Sequence, residues 1–384
     1  MLRVRLIPVR DAATDPRLLD RWSELEAGAL EPNPFFAPQM VLPAARHLEH
    51  GQAAQLLVAE DGDALRFLLP VSGSSGLRRL PITGLRPWMH DYCFLGTPLL
   101  AAHGDPDRVW AAVIEHLRRH SPAPVLFIPL HPAKGPVAAA LHRTGLGAGL
   151  GIRRSPAVSR GFVVRRPEPT YAREWMSRKH LANMARRRRH LGKNLGTEVV
   201  TVDRAADGFD KAVEQFLELE SKGWKGRSRT ALSCRPGHDR FFREMTRGFA
   251  EQGRLMFLSM EAGSQVVAQN TALVASEGLF GFKRAYDEEF SRWSPGSLLD
   301  LDVLDWFHRT APLAWLDTCS APDDGTGSRA FGDRRPLCTL AVPLSPLGSA
   351  GVAMVPAGAR ARRSIRATRA GQLVRRRRHA RKKG

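Results

Sequence analysis

The chain has 384 residues, 43% of them hydrophobic and 25% charged, a balance that supports buried cores and excludes a wholly disordered protein. Its 58 Lys and Arg against 38 Asp and Glu give a formal charge of +20, which points to an anionic partner and says nothing about fold. Cysteines at 93, 234, 319 and 338 form no CxxC pair and no short Cys/His spacing, so neither a metal site nor a disulfide framework is indicated and a reducing cytoplasm fits.

The opening MLRVRLIPVRDAATD regains charge too soon for a secretory signal. Residues 17–29 and 38–49 carry apolar residues at helical spacing, and QLLVAE and ALRFLLPV flank Asp61-Gly62 as a hairpin. A helix over 105–119 opens on an acid and a proline and closes on basic residues, as the helix dipole favours. VLFIPL follows as a buried strand, then a helix over 134–144 that runs into Gly145, Gly147, Gly149 and Gly151. A dinucleotide fingerprint needs its glycines between a strand and a helix start, so this run reads as a helix end and loop.

RRPEPT at 165–170 separates the strand GFVV from a basic helix and sets a domain boundary near 160, giving domains over 1–160 and 161–342. The basic helix, 178–193, holds seven Arg or Lys and no acid, and its four consecutive arginines wrap most of a turn, which argues against a simple amphipathic face. Helices over 207–222 and 238–251 precede three antiparallel strand runs joined at 262–263 and 276–278, then the turn Ser294-Pro295-Gly296, a helix to about 309, and the strand LAWLDT. The uncharged run 337–359 approaches the length of a membrane span, but Pro343, Pro346, Pro356 and interspersed glycines argue against a spanning helix. It reads as a last strand and a flexible linker over 343–359. Residues 360–384 hold twelve Arg or Lys and no acid, the composition of a disordered basic tail suited to an anionic membrane surface or to nucleic acid. Setting tail and basic helix aside leaves 39 basic residues facing 38 acids, so the rest is electrically balanced.

The element order of the second half, together with QFLELESKGWKGRSRTAL at 215–232, Lys283, Ala285-Tyr286-Asp287 and Ser294-Pro295-Gly296, resembles the BioF-like acetyltransferase domain family. This is the CelD/BcsL type of the Gcn5-related N-acetyltransferase (GNAT) superfamily, related to the FemAB peptidyltransferases. WSELEAGALEPNPFFAPQMVLPAA at 22–45 is similar to the family's amino-terminal Asn-Pro-Phe segment. The resemblance implies an α/β (α+β) GNAT-like acyltransferase fold, with two GNAT-like domains in tandem, each a mixed, mostly antiparallel sheet flanked by helices. Three departures stand out. Arg229 replaces a common glycine, LDTCSAPDDGTGSRAFGDRR replaces an Asp-Phe-Gly-x-Gly ending, and the superfamily's Arg/Gln-x-x-Gly-x-Gly/Ala phosphate cradle is missing before residue 296.

The resemblance implies acetyl-CoA or another acyl-CoA as donor and no metal, and transfer to an amine or hydroxyl of a small molecule or a saccharide of the cell envelope. Ser294, Gly296 and Ser297 open a helix whose free N–H groups suit the donor's phosphates, with Ser294 as cap and Pro295 at the first position. Lys283 either faces those phosphates, holds an anionic group of the acceptor, or ends a strand in water or in an ion pair with Asp287. Tyr286 is placed to protonate the departing thiolate, and Asp287 and Asp317, each ending a strand, are the carboxylates for proton removal if burial raises their pKa values. His308 at a helix end and Cys319 as a nucleophile are weaker choices. Trp224 and Lys225 in GWKG, and Arg186 on the basic helix, are candidate acceptor contacts, against a buried Trp closing its helix and a solvated basic face. Two further readings stay open: a FemAB-like peptidyltransferase using aminoacyl-tRNA, and a nucleic-acid-binding protein on an inactive acyltransferase scaffold. Location at the inner membrane face is compatible with the tail, without a transmembrane helix.

Overall fold

The computed structural model describes residues 2–72, 84–166, 171–310, 312–321 and 330–354. The chain divides into two units, one running to Ser159 and resuming at Pro336, the other covering Arg160–Arg335.

In the first unit, strands β1 (Arg3–Pro8), β2 (Gln55–Asp61) and β3 (Ala64–Ser72) pair antiparallel, and Gly62 at φ +61° makes the hairpin turn. Helices α1 (Pro16–Ala27) and α2 (Pro38–His47) are joined by the Asn-Pro-Phe segment, where Asn33 accepts from Phe35 N and donates to Thr97 O. Trp22 of α1 donates its indole N–H to the Phe36 carbonyl at 2.8 Å, so this buried Trp has its one polar atom satisfied. Helix α3 (Pro106–His120) starts at Asp105, whose carboxylate caps Asp107 N and Arg108 N. Strand β4 (Val125–Pro132) and helix α4 (Pro136–Gly147) follow, and the glycine run begins inside α4 and ends in a turn with Gly149 at φ +64°.

The second unit holds one sheet in the order β5 (Val158–Val164), β10, β9, β8, β7, β6. Helix α5 (Arg178–Leu195) is capped by Ser177 and closed by Gly196 at φ +71°. It leads to β6 (Val199–Asp203), α6 (Phe209–Lys222), the single turn α7 (Trp224–Arg227) and α8 (His238–Glu251). The meander β7 (Leu255–Ala262), β8 (Gln265–Ala275) and β9 (Gly278–Tyr286) pairs antiparallel. Helix α9 (Pro295–Arg309) then crosses over to β10 (Trp315–Asp317), which lies parallel to β9.

Period-two alternation divides the sheet between two helical layers. Met256, Leu258 and Met260 of β7 enter one core with α5 and α9, while Phe257 between them meets Phe216 of α6 edge-on at 6.1 Å. Helix α5 does have an apolar face, because Met184 and Leu191 are buried and Leu181 and Leu195 pack beside them. The arginine run is accommodated because Arg187 and Arg188 reach sideways to α9 while Arg186 and Arg189 point to solvent. The expectation that this helix is not simply amphipathic is thus corrected.

The chain returns to the first unit in β11 (Asp333–Pro343), antiparallel to β4, and ends its described course in α10 (Pro346–Met354). The expected second domain over 161–342 therefore ends at Arg335, where β11 passes into the first unit. The expected linker over 343–359 is corrected over its described part. Ser345 Oγ accepts from Gly348 N at 3.1 Å, and Val352 packs with Val125 and Phe127. Gly348 lets the helix approach β4: a Cβ there would sit 1.9 Å from the Pro124 carbonyl. Its glycine serves close contact, not flexibility. Residues 355–359 and the basic tail lie outside the described residues.

Candidate active site

Strands β9 and β10 pair only from Gly278–Trp315 to Phe280–Asp317. Beyond that point β9 continues to Tyr286 while β10 stops, and the chain bends away at Cys319, φ +49°. A cavity of about 210 Å³ opens where they part, lined among others by Asn270, Lys283, Arg284, Asp300, Thr318 and Arg334. Gly281 keeps this gap narrow without closing it, since a Cβ there would lie 2.6 Å from the Thr318 carbonyl.

A β-bulge decides which β9 side chains face which layer. Ala272 pairs with Gly281 and Thr271 with Lys283, so Phe282 is the extra residue. It turns Lys283 to the α6 side and leaves Arg284 and Tyr286 on the α9 side. On the α6 side, Lys283 Nζ lies 2.7 Å from Glu220 Oε1, and Lys225 Nζ of α7 lies 2.8 Å from the same oxygen. Glu220 Oε2 accepts from Leu232 N at 2.8 Å. Burial would raise the Glu220 pKa, but the two ammoniums outweigh it and hold it at about 2. Burial pushes Lys283 down, Lys225 adds to the shift and Glu220 opposes it, leaving Lys283 at about 8. Asp287, one of the alternatives open for Lys283, is the cap of the turn Glu288–Trp293, where it accepts from Glu289 N at 3.0 Å.

On the α9 side, Arg284 bonds Asp300 and the Gly296 carbonyl, and Tyr286 packs half-buried against the core beside Gly296. Ser294 adopts φ +56° and caps with its backbone: its carbonyl accepts from Ser297 N and Leu298 N, and its hydroxyl accepts from Arg187. The expectation of side-chain capping by Ser294 is corrected, because the left-handed backbone turns the hydroxyl away from the helix. Pro295 has no N–H and Ser297 N–H is spent on Ser294, so the free N–H at this helix start is that of Gly296. Ser297 is exposed.

Asp317 does not fit the role of proton acceptor. It is 0% exposed, accepts from Arg160 Nη2 at 2.6 Å and from Arg335 Nη1 at 2.8 Å, pairs in charge with Arg160 Nε 2.6 Å away, and these guanidiniums overcome burial and lower its pKa. Cys319, buried beside Asp317, has its thiol pushed well up, opposite to what a nucleophile needs. His308 stands beside Tyr171, away from the cavity lining. Arg186 bonds Asn183 on its own helix and is not brought to the cavity. Trp224 is half-buried with its backbone N–H on Glu288 at 2.5 Å.

The residues that sequence reasoning missed are Glu220, Arg284, Asp300 and Arg187. A signal existed for two of them: Glu220 and Asp300 fall on the apolar faces Val213, Phe216, Leu217 and Leu299, Val303, Phe307, where a carboxylate must find a cation. Among the described residues no group of His, Cys, Asp and Glu could hold a metal ion, and no helix is long and apolar enough to cross a membrane.

Residues 178–324 match the family described as acetyltransferase (GNAT) domain. No curated protein matches the chain. Solved structures do. A conserved protein of unknown function from Bacteroides thetaiotaomicron VPI-5482 is 12% identical, with a TM-score of 0.54 over 90% of this chain and 100% of that one. FemX is 9% identical, with a TM-score of 0.52 over 86% and 97%. The C-terminal domain of a putative lysylphosphatidylglycerol synthetase from Agrobacterium fabrum is 13% identical, with a TM-score of 0.51 over 87% and 93%. At such identities these likenesses show the fold, an α+β fold shared with these structures over nearly the whole chain, within which residues 178–324 match the GNAT domain.

Proposed function

We propose, from the match of residues 178–324 to the acetyltransferase (GNAT) domain, that the protein is an acyl-CoA-dependent acyltransferase acting on an amine or hydroxyl. The observation that carries the reading is the parting of the parallel strands β9 and β10 over a polar cavity, next to the first turn of α9. An extended thioester arm fits such a gap, because the edge of β9 beyond Phe280 offers backbone groups that β10 no longer uses. The Gly296 N–H and the guanidinium of Arg187 beside Ser294 suit the phosphates of the donor. Arg284 is committed to Asp300 and the Gly296 carbonyl, so its part is to fix that helix start.

Tyr286, beside Gly296 and the cavity residue Arg284, is the side chain best placed to supply a proton to the departing thiolate. Saccharide acceptors and an envelope role rest on the family resemblance. Native mass spectrometry and thermal shift with coenzyme A and acyl-CoAs test the reading. We expect one bound equivalent and a rise in Tm, about 2.7 kcal/mol of stabilisation at a hundredfold excess over Kd. No binding of any of them would sink it, and turnover abolished by ribonuclease would favour an aminoacyl-tRNA donor.

A further inference from the structure

Resting on the acyltransferase reading and deepening it, we propose that Lys283 takes the proton from the incoming nucleophile, and that this nucleophile is a primary amine arriving as its ammonium. Three carboxylates near the gap are already committed. Asp317 is clamped by Arg160 and Arg335, Asp287 caps a turn, and Asp300, the acid of the cavity lining, is held by Arg284. Lys283 is among the residues lining the same cavity, and the bulge at Phe282 turns its side chain to the α6 side of the gap.

Two ammoniums meet one oxygen of Glu220, so a single negative charge serves two positive ones. Lys283 is the deeper of the two, its side chain 12% exposed against 23% for Lys225, and therefore the one with less hydration to lose on becoming neutral. The groups facing it are Glu220 on α6, Lys225 on α7, Arg235 beyond the turn Leu232–Cys234, and the Thr271 hydroxyl on β8, which meets its backbone. Arg284 lies on the other face of β9 and is neutralised by Asp300. Lys225 also donates to the Arg284 carbonyl at 2.8 Å, which ties it to β9.

A base that titrates at about 8 lies about two units below a typical alkylammonium and can take its proton at modest cost. A saccharide hydroxyl, with an acidity near that of water at about 15.7, holds its proton far more tightly, so an ammonium is the acceptor better matched to this base. The step balances as follows. The acceptor ammonium gives one proton to the neutral Lys283 amine. The freed nitrogen forms a C–N bond to the thioester carbonyl carbon. The tetrahedral adduct then breaks its C–S bond, and the sulfur leaves with the electron pair and gains a proton from the Tyr286 hydroxyl, which recovers one from the adduct nitrogen. Lys283 releases its proton to water, so one amide, one thiol and one free proton result.

The test is the pH profile of kcat/KM for amine acylation, with direct titration of Lys283 by competitive labelling with isotopic acetic anhydride read by mass spectrometry. We expect activity to rise with pH to a plateau with an inflection near 8, matched by the labelling curve of Lys283. Lys225→Met leaves Glu220 to Lys283 alone and moves both curves up by about one unit or more. Lys283→Met and Lys283→Arg both lose about 10²- to 10⁴-fold in turnover while binding acyl-CoA and keeping the wild-type circular dichroism spectrum. An activity that falls as pH passes 8, an active Lys283→Arg variant, or a labelling curve near 10 each overturn the proposal and leave the acyltransferase reading standing. Failure of the wild-type protein to bind acyl-CoA overturns that reading and this one with it.

Discussion

Arg229 sits at φ +55°, in the left-handed region that costs a side chain with a Cβ about 1–2 kcal/mol. The sequence string around it resembles a family pattern with glycine at this position, so the departure has a physical meaning: the backbone shape is kept and strain is accepted. Arg229→Gly is therefore expected to raise stability by about 1 kcal/mol in denaturant unfolding, less the entropy that glycine gains in the unfolded chain. A variant less stable than the parent would show that the Arg229 side chain makes a compensating contact. At this scale the sequence is readable in placement, since Lys283 and Tyr286 do fall on one strand, β9. It fails where partners are distant in the chain. Asp317 looks like a free strand-end carboxylate until Arg160, 157 residues away, folds onto it. Lys283 leaves several partners open in sequence, Asp287 among them, until Glu220 arrives from another helix.

At the scale of elements, periodicity gives the meander and α8 with their bounds almost unchanged, because each strand and helix there has one apolar face. The bulge at Phe282 leaves no comparable trace, since one extra residue changes facing without changing composition. Helix α10 was hidden for another reason. Pro346, Gly348 and Gly351 read as breakers, yet the proline occupies the first helical position and Gly348 is there for close packing on Pro124. Truncation after Leu344 is therefore expected to lower Tm by several degrees relative to truncation after Met354, since it uncovers Val125 and Phe127. Equal Tm values would return this segment to the status of a linker.

For the whole molecule, the charge resolves into parts with different tasks. Of the seven basic residues of α5, two tie it to α9, Arg188 on Asp302 at 2.5 Å and Arg187 on Ser294 at the start of that helix, and Arg186 and Arg189 face solvent. The twelve of the tail are separable in sequence from an otherwise balanced body. Fold class was legible because element order survives when identity does not, as the likeness to structures only 9–13% identical shows. The site's electrostatics were not legible, because they arise from Glu220, Asp300 and Asp317 each meeting cations from other elements. The most direct test of the account is release of free coenzyme A thiol from acetyl-CoA by the full chain, in the presence and absence of a panel of primary amines. The account predicts amine-dependent thiol release that persists after ribonuclease treatment and falls in Tyr286→Phe. Thiol release with no amine, or with none of the amines offered and none of the acyl-CoAs bound, would contradict it.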